Sequence, residues 1–372
     1  MRIAHVTDCY LPRMGGIELQ VRDLAAQQRL AGHDVTVFTS TDGDAADGVR
    51  RVTRHKLRTM LGGFDAVHAH LSLGSPFAWT GARTGSALGC PTVITMHSVP
   101  PPGPLMWAAG LATGCRRWNV RWTAVSEVAA APLRSMLPGR EIVVLHNGID
   151  PSAWQLPVSR SSRIDELVVV SVMRFAQRKR PLPLVRILDR IRSNLPVGVR
   201  LRAVLVGDGP QLEAVRRALR ARDMDAWVDL PGRLCREEIR DLYTRADLYL
   251  APAKLESFGI AALEARCAGL PVVAMACGGV GEFVRNGREG HLVRSDAEMA
   301  RVAVRLLSSP DELDSLRMHN CSTQPPMTWD RVVDQSLEAY RSPPAGRMRA
   351  GRHAAGRTGA ADESVRRRAG AR

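Results

Sequence analysis

Glu256-Ser-Phe-Gly-Ile-Ala-Ala-Leu-Glu264, continuing as Ala-Arg-Cys-Ala-Gly269-Leu-Pro-Val-Val273, sets two carboxylates eight positions apart. Ser-Phe-Gly stands just after the first, and a helical pattern runs onward. A helix rises about 1.5 Å per residue, so eight steps span roughly 12 Å along one edge. The spacing predicts Glu256 just before a helix and Glu264 two turns inside it. The amides of Phe258, Gly259 and Ile260 then become first-turn donors without intrahelical partners. Donors of that kind, at the positive end of a helix dipole, hold an anion. Two solvated glutamates on an amphipathic helix share the same local spelling, so the flanks decide.

Asp247-Leu-Tyr-Leu-Ala-Pro252 reads as a short apolar strand before the pair. Gly269-Leu-Pro271 ends the helix, and Pro271-Val-Val-Ala-Met275 reads as a second strand. Gly278-Gly279-Val-Gly281-Glu282 and a turn at Asn286-Gly287 follow. Strand, acidic loop, helix, strand, glycine loop, helix is a βαβα unit with its loops on the ligand-binding edge of a parallel sheet. A ligand with hydroxyls at both ends and a diphosphate between them matches the acid–amide–acid order. A nucleotide sugar has that shape. The run resembles the retaining glycosyltransferases of family 4, whose pattern is E-x7-E followed by a Gly-Gly-x-x-Glu loop.

The chain has 372 residues, too many for one ordinary core and enough for two α/β domains. A hydrophobic content of 45% is that of a globular protein. Its seven cysteines (9, 90, 115, 235, 267, 277 and 321) show no CxxC and no pairing pattern. Reduced, buried thiols in a cytoplasmic protein are expected, and neither a disulfide framework nor a zinc site. Met1-Arg-Ile-Ala-His-Val reads as a first strand and not as a signal peptide. No apolar run reaches the ~20 residues of a membrane span. The formal charge of +15 is uneven: residues 341–372 hold nine arginines against Asp362 and Glu363, a net +7. That segment lacks apolar periodicity and reads as a basic disordered tail over 342–372.

The strand pattern runs twice. The first half has strands at Arg2–Thr7, Asp34–Ser40, Asp65–His70, Pro91–Met96, Trp122–Ser126 and Ile142–Leu145. A polar linker then runs through about Asp165. The second half restarts at Leu167–Met173, followed by Leu201–Val206 and Val228–Gly232. Helices are expected at Asp296–Ser308 and Asp330–Tyr340, whereas Ser40–Gly62 shows no clear strand and reads as surface. The fold class is α/β: two Rossmann-like domains facing a central cleft. The resemblance implies the GT-B arrangement, with a last helix crossing back to the first domain. The corresponding ranges are 1–160 for the acceptor domain, 161–327 for the nucleotide-sugar domain and 328–341 for the crossover helix.

The resemblance covers residues 1 to about 341 and carries over position by position. Pro12-Arg-Met-Gly15-Gly16-Ile-Glu18 looks like the family's N-terminal glycine loop, which closes over the donor diphosphate. No G-x-G-x-x-G follows the first strand, so a dinucleotide fingerprint is absent. Glu18 either faces the acceptor or serves the helix N-terminus through the dipole. Thr95-Met-His97-Ser98 matches the family's strand-end histidine, which contacts the sugar near its C6 hydroxyl. His68 and His70 end another strand and read as structural or cleft-lining. Arg174-Phe-Ala-Gln-Arg-Lys179-Arg180 matches a Gly-Arg-x4-Lys loop whose Arg and Lys clamp the diphosphate. Met173 stands where the family has glycine, and Arg178 and Arg180 blur the register. Gly207-Asp-Gly209-Pro210 matches the next strand-end loop.

Transfer from a nucleoside diphosphate builds negative charge on the leaving phosphate, so fixed positive donors there contribute most. Arg174, Lys179 and the amides of Phe258, Gly259 and Ile260 supply them. The resemblance implies no divalent metal and no cofactor. It places Glu256 on the sugar hydroxyls O3 and O4, and Glu264 on the ribose. Glu256 and Glu264 stand too far apart for the ~5 Å nucleophile–acid pair of a retaining glycosidase. The implied donor is UDP- or GDP-linked, and the acceptor a hydroxyl of a lipid, glycan or small polyol. The basic tail has no aromatic interleaving, so nucleic acid is not expected as a partner. Trp107, Arg116, Arg117, Trp118, Arg121 and Trp122 suit either a membrane interface, hence a peripheral location at its inner face, or a helix packed by tryptophans. The alternative function is a catalytically silent GT-B protein that binds a sugar nucleotide or a partner.

Overall fold

Short β-branched runs buried on both faces form parallel strands, because crossover helices cover both sides of the sheet. The computed structural model describes residues 1–101, 103–156 and 166–342, and its central strands follow this rule. The first sheet holds β1 (Arg2–Thr7), β2 (Asp34–Thr39), β3 (Val49–Arg51), β4 (Ala66–Leu71), β5 (Thr92–Met96), β6 (Arg121–Ala124) and β7 (Ile142–Val144). Its order is β3-β2-β1-β4-β5-β6-β7, parallel throughout. The second holds β8 (Glu166–Val172), β9 (Arg200–Val206), β10 (Val228–Gly232), β11 (Leu248–Ala251), β12 (Val272–Met275) and β13 (Gly290–Val293). Its order is β10-β9-β8-β11-β12-β13, again parallel.

Each sheet winds outward in both directions from its first strand. Loops after such switch strands line a crevice at the carboxyl edge. The loops after β1, β8 and β11 carry Gly15 and Gly16, Arg174 and Lys179, and Glu256. His97 follows β5 directly. An apolar cluster joins the two halves, running from Ile94, Trp122 and Leu133 to Tyr243, Phe258 and Leu263.

The closing helix, Trp329–Arg341, packs on the first half, where Val332, Val333 and Leu337 meet Val21, Leu24 and Ala25 of the helix Gly16–Leu30. Among the described residues no helix is long and apolar enough to cross a membrane. All seven cysteines are free. The tail expected beyond residue 342 lies outside the described residues.

Several elements differ from the sequence reading. Ser40–Gly62 is not bare surface: it contributes β3 and the helix Arg54–Met60. That helix is capped by Thr53 and buries only Leu57, with Leu61 just beyond, which is too little for an apolar stripe. The glycine loop leads into one 3₁₀ turn, Gly279–Glu282, and then β13, where a helix was expected. Helices Glu127–Met136 and Pro310–Ser322 were not anticipated. The first carries Pro132 in its interior, which breaks the helical spelling.

Candidate active site

The Arg174 loop is shaped by its neighbour. Phe175 N–H donates to the Asp208 carbonyl at 2.8 Å, and Met173 N–H to Val206 at 3.0 Å. Gly207 (φ 134°) and Gly209 (φ 152°) lie against this backbone. A Cβ on Gly207 would collide with the Met173 carbonyl, and one on Gly209 would sit 2.6 Å from the Phe175 carbonyl. Glycine is therefore required at both positions. Phe175 is fully buried and anchors the loop, leaving Arg174 exposed with no ion pair among the described residues.

One 3₁₀ turn, Gln177–Lys179, separates the neighbouring cations by role. Arg180 adopts the left-handed conformation (φ 62°) and is held by both oxygens of Asp296, each at 2.8 Å, and by the Pro252 carbonyl. Arg178 is exposed. Lys179 instead turns to the acidic loop, its Nζ 2.5 Å from Glu256 Oε2.

The glycine loop after β12 supports the acidic loop from below. Gly279 N–H donates to the Glu256 carbonyl at 2.8 Å. A Cβ on Gly279 would collide with the Ser257 carbonyl, and one on Gly278 would crowd Glu256 Cβ at 3.1 Å. Gly259 caps the following helix in a left-handed conformation (φ 97°), so the helix starts at Ile260. Glu264 therefore lies one turn inside it, not two. The amides of Phe258, Gly259 and Ile260 have no hydrogen bond among the described residues. The Phe258 ring is buried against Phe283 and His146.

Glu264 is buried, and burial pushes its carboxyl up to about 8, with Arg236 working against the shift and Asp23 with it. Arg236 and Asp23 are themselves paired across the two halves at 2.6 Å. On the first half, Gly16 meets the second closely: a Cβ there would lie 3.3 Å from Ile260 Cδ1. Gly15 sits against the Glu18 carboxylate, which is buried and paired with Arg13 at 3.2 Å. Glu18 stands in the first helical turn.

His97 is buried, and burial lowers its imidazole to about 4, so the ring is neutral. Its Nε2 lies 3.0 Å from His70 Nδ1. It borders a cavity also lined by Gln20, Asn147 and Trp329. His68 and His70 are buried behind it. His5, His68 and His70 have the spacing of metal ligands, within 4.8 Å of one another. All six of their ring nitrogens already have protein partners, which leaves no lone pair for an ion.

A clasp between the halves escaped the sequence reading. Glu282 Oε1 accepts from the Glu127 N–H at 2.7 Å, at the start of the helix Glu127–Met136, and Oε2 lies 3.1 Å from His146 Nε2. Burial opposes the Glu282 carboxylate, but these bonds outweigh it and hold it below its usual range. Ser126 Oγ donates to the Ser257 carbonyl at 2.5 Å. Glu282 was visible in the glycine loop, but partners more than a hundred positions away leave no local signal.

The family model described as "Glycosyl transferases group 1" matches residues 154–319, and "Glycosyltransferase Family 4" matches residues 14–153. This chain belongs to the family 4 glycosyltransferases. It is a retaining hexosyltransferase that uses a nucleotide sugar. The glycosyltransferase is similar to the D-inositol 3-phosphate glycosyltransferase of Rhodococcus erythropolis, at 28% identity over 88% of this chain and 86% of the relative. It is also similar to the phosphatidylinositol N-acetylglucosaminyltransferase GPI3 subunit of Saccharomyces cerevisiae, at 24% identity over 91% and 82%. Among solved structures, Anabaena HepE in complex with UDP and glucose superposes with a TM-score of 0.74 at 19% identity, over 91% of this chain and 98% of that one. That likeness bears on the GT-B fold.

Proposed function

We propose that this enzyme moves a hexose from a UDP- or GDP-linked donor to a hydroxyl of a lipid, glycan or small polyol, with residues 1–160 as the acceptor half and 161–327 as the donor half. The observation that carries this reading is the ion pair Lys179–Glu256 just ahead of the helix Ile260–Cys267, with three open amides following in sequence and Glu264 one turn into that helix. Arg174, Lys179 and the amides of Phe258, Gly259 and Ile260 hold the diphosphate and stabilise it as it leaves. Gly15 and Gly16 let the first half close on that diphosphate. Glu256 orients the sugar through O3 and O4, and Glu264 holds the ribose hydroxyls. His97 lies at the sugar's C6 side, and Glu18 on the acceptor side.

Transfer then proceeds on the front face, with the leaving phosphate taking the acceptor proton, so neither carboxylate is a general base. Protein cations do the work of a divalent ion. Two similar proteins carry inositol in their names, one as inositol 3-phosphate and one as the lipid phosphatidylinositol, which supports a polyol or a polyol-headed lipid as acceptor. Trp107 and Leu111 are exposed on the helix Pro104–Ala112, and a membrane surface is the further partner they suit. Arg116 stacks over Trp107 at 4.9 Å, whereas Trp122 is core. The enzyme on this reading works in the cytoplasm, at the inner face of the membrane.

A calorimetric screen of UDP-, GDP- and ADP-sugars, followed by slow donor hydrolysis with the donor that binds, tests the proposal. Binding of one donor with hydrolysis supports it. Binding without hydrolysis or transfer, or no binding of any donor, contradicts it.

A further inference from the structure

The ring of His97 is the visible end of a line of buried polar side chains. His97 Nε2 lies 3.0 Å from His70 Nδ1, and His70 Nε2 lies 2.8 Å from His5 Nδ1. His5 Nε2 lies 2.7 Å from Gln28 Oε1. Gln28 Nε2 reaches Ser336 Oγ at 2.9 Å and Tyr340 Oη at 3.0 Å, both on the closing helix. The line thus joins the residue after β5, strands β4 and β1, the helix Gly16–Leu30 and the helix Trp329–Arg341.

The direction of every proton along it is assigned from the far end. Ser336 Oγ lies 2.7 Å from the Val333 carbonyl, which only accepts, so Ser336 donates there. Ser336 must then accept from Gln28, which turns the amide nitrogen to the closing helix and the amide oxygen to His5. His5 donates from Nε2 and accepts at Nδ1. His70 donates from Nε2 and accepts at Nδ1. His97 donates from Nε2.

A side branch agrees. Tyr340 Oη accepts from Gln28 and donates to His68 Nδ1 at 2.8 Å; His68 Nε2 donates to Thr95 at 2.7 Å. Thr95 donates to Thr123 at 2.6 Å, and Thr123 to the Ile94 carbonyl at 3.1 Å. No bond in either branch is left with two donors or two acceptors.

A neutral imidazole carries one N–H, so fixing it at Nε2 leaves Nδ1 as a bare acceptor. Burial keeps the histidines of this line neutral. His97 Nδ1 has no partner among the described residues. We propose that Gln28, His5 and His70 are positioning residues, anchored by Ser336, which lock His97 in its Nε2–H form so that Nδ1 accepts a hydrogen bond from a substrate hydroxyl. The effect on turnover rests on His97 facing the donor sugar. The tautomer itself does not.

The test is a two-bond ¹H–¹⁵N correlation spectrum of the full-length protein with ¹⁵N-labelled histidine. His5, His68, His70 and His97 should each show a protonated Nε2 and an unprotonated Nδ1. A protonated Nδ1 at His97, or a mixture, overturns the proposal without use of any substrate, so it fails or holds separately from the donor assignment. Gln28→Met keeps the chain length and removes the acceptor for His5. In that variant His97 should become a tautomer mixture, and kcat should fall about tenfold while donor KM stays within about twofold. A pure Nε2–H form in Gln28→Met, or a mixture with unchanged kcat, overturns the positioning role. Should Gln28→Met not fold, the wild-type spectrum decides alone. Tyr340→Phe leaves Ser336 as anchor and should keep the wild-type tautomer at His97; a mixture there also contradicts the assignment.

Discussion

Lys179 Nζ and Glu256 Oε2 stand 2.5 Å apart, joining the loop after β8 to the loop after β11. Both side chains are largely shielded from solvent, at 23% and 16% exposure. The ammonium is thus held at the acidic loop before any donor arrives. On the proposed function, an incoming diphosphate draws it partly away and releases the carboxylate toward the sugar.

Arg174→Ala and Lys179→Ala should each weaken nucleoside diphosphate binding and lower turnover by at least about tenfold, since both charges act on the leaving group. Their stabilities should differ. Arg174 is exposed and has no ion pair among the described residues, so its loss should leave urea unfolding unchanged. Lys179→Ala leaves Glu256 without its partner and should cost about 1 kcal/mol. Calorimetry and urea melts of both variants check this, and unchanged diphosphate affinity in both would contradict the clamp.

Activity should persist in excess EDTA if, as proposed, guanidinium, ammonium and amides together neutralise the leaving phosphate. Complete loss with EDTA, restored by magnesium or manganese, would show that the charge on the diphosphate is met differently.

Two glycines of one loop should respond in opposite ways to alanine. Gly279 is pressed against the Ser257 carbonyl, whereas a Cβ on Gly281 would make an ordinary 3.6 Å contact with Leu292 Cδ1. Gly279→Ala should displace Glu256, lower turnover by at least about tenfold and destabilise the fold by about 1–3 kcal/mol. Gly281→Ala should leave both nearly unchanged. Turnover and urea midpoints of the pair decide, and equal effects would show that the loop is not a shelf.

Glu264 gives a pH dependence of definite sign. Burial raises its folded-state pKa from 4.5 to about 8, so the folded chain holds the proton more tightly than the unfolded chain does. Its contribution is most favourable below 4.5 and is lost as pH rises toward 8, by up to about 1.4 kcal/mol per pH unit. Glu264→Gln cannot ionise. Its stability relative to wild type should therefore climb between about pH 5 and pH 8 and level off above. A constant difference across that range would contradict the buried, proton-retaining state.

Contiguous spelling made much of this site readable. Glu256, Phe258, Gly259, Ile260 and Glu264 fall within nine residues, and Pro, Gly and β-branched residues mark the strands around them. The start of the helix was misjudged because Gly259 caps it in a left-handed conformation that the apolar spacing does not reveal. The helix Arg54–Met60 was invisible because one buried leucine makes no stripe. Arg180 could not be told from Lys179 until Asp296 was seen to hold it. The Glu282 clasp and the line from Gln28 to His97 were hidden for one reason: each links single polar residues on elements far apart in the chain. Gln28 even reads as part of an apolar face, since it is fully buried on the inner side of its helix.

The claim that the donor lies along the helix Ile260–Cys267, ribose at Glu264 and sugar at Glu256, is tested most directly by calorimetry on two variants with two ligands. Glu256 as a carboxylate, and Glu264 through the carbonyl oxygen of its protonated acid, each accept hydroxyl hydrogen bonds worth roughly 1–3 kcal/mol apiece. Glu264→Ala should weaken both the nucleotide sugar and the bare nucleoside diphosphate by about ten- to a hundredfold. Glu256→Ala should leave the bare diphosphate nearly as tight or tighter, because Lys179 is freed for the phosphates, while turnover falls severely for want of an oriented sugar. If Glu256→Ala weakens the bare diphosphate as much as Glu264→Ala does, the donor does not lie along this helix in the proposed direction.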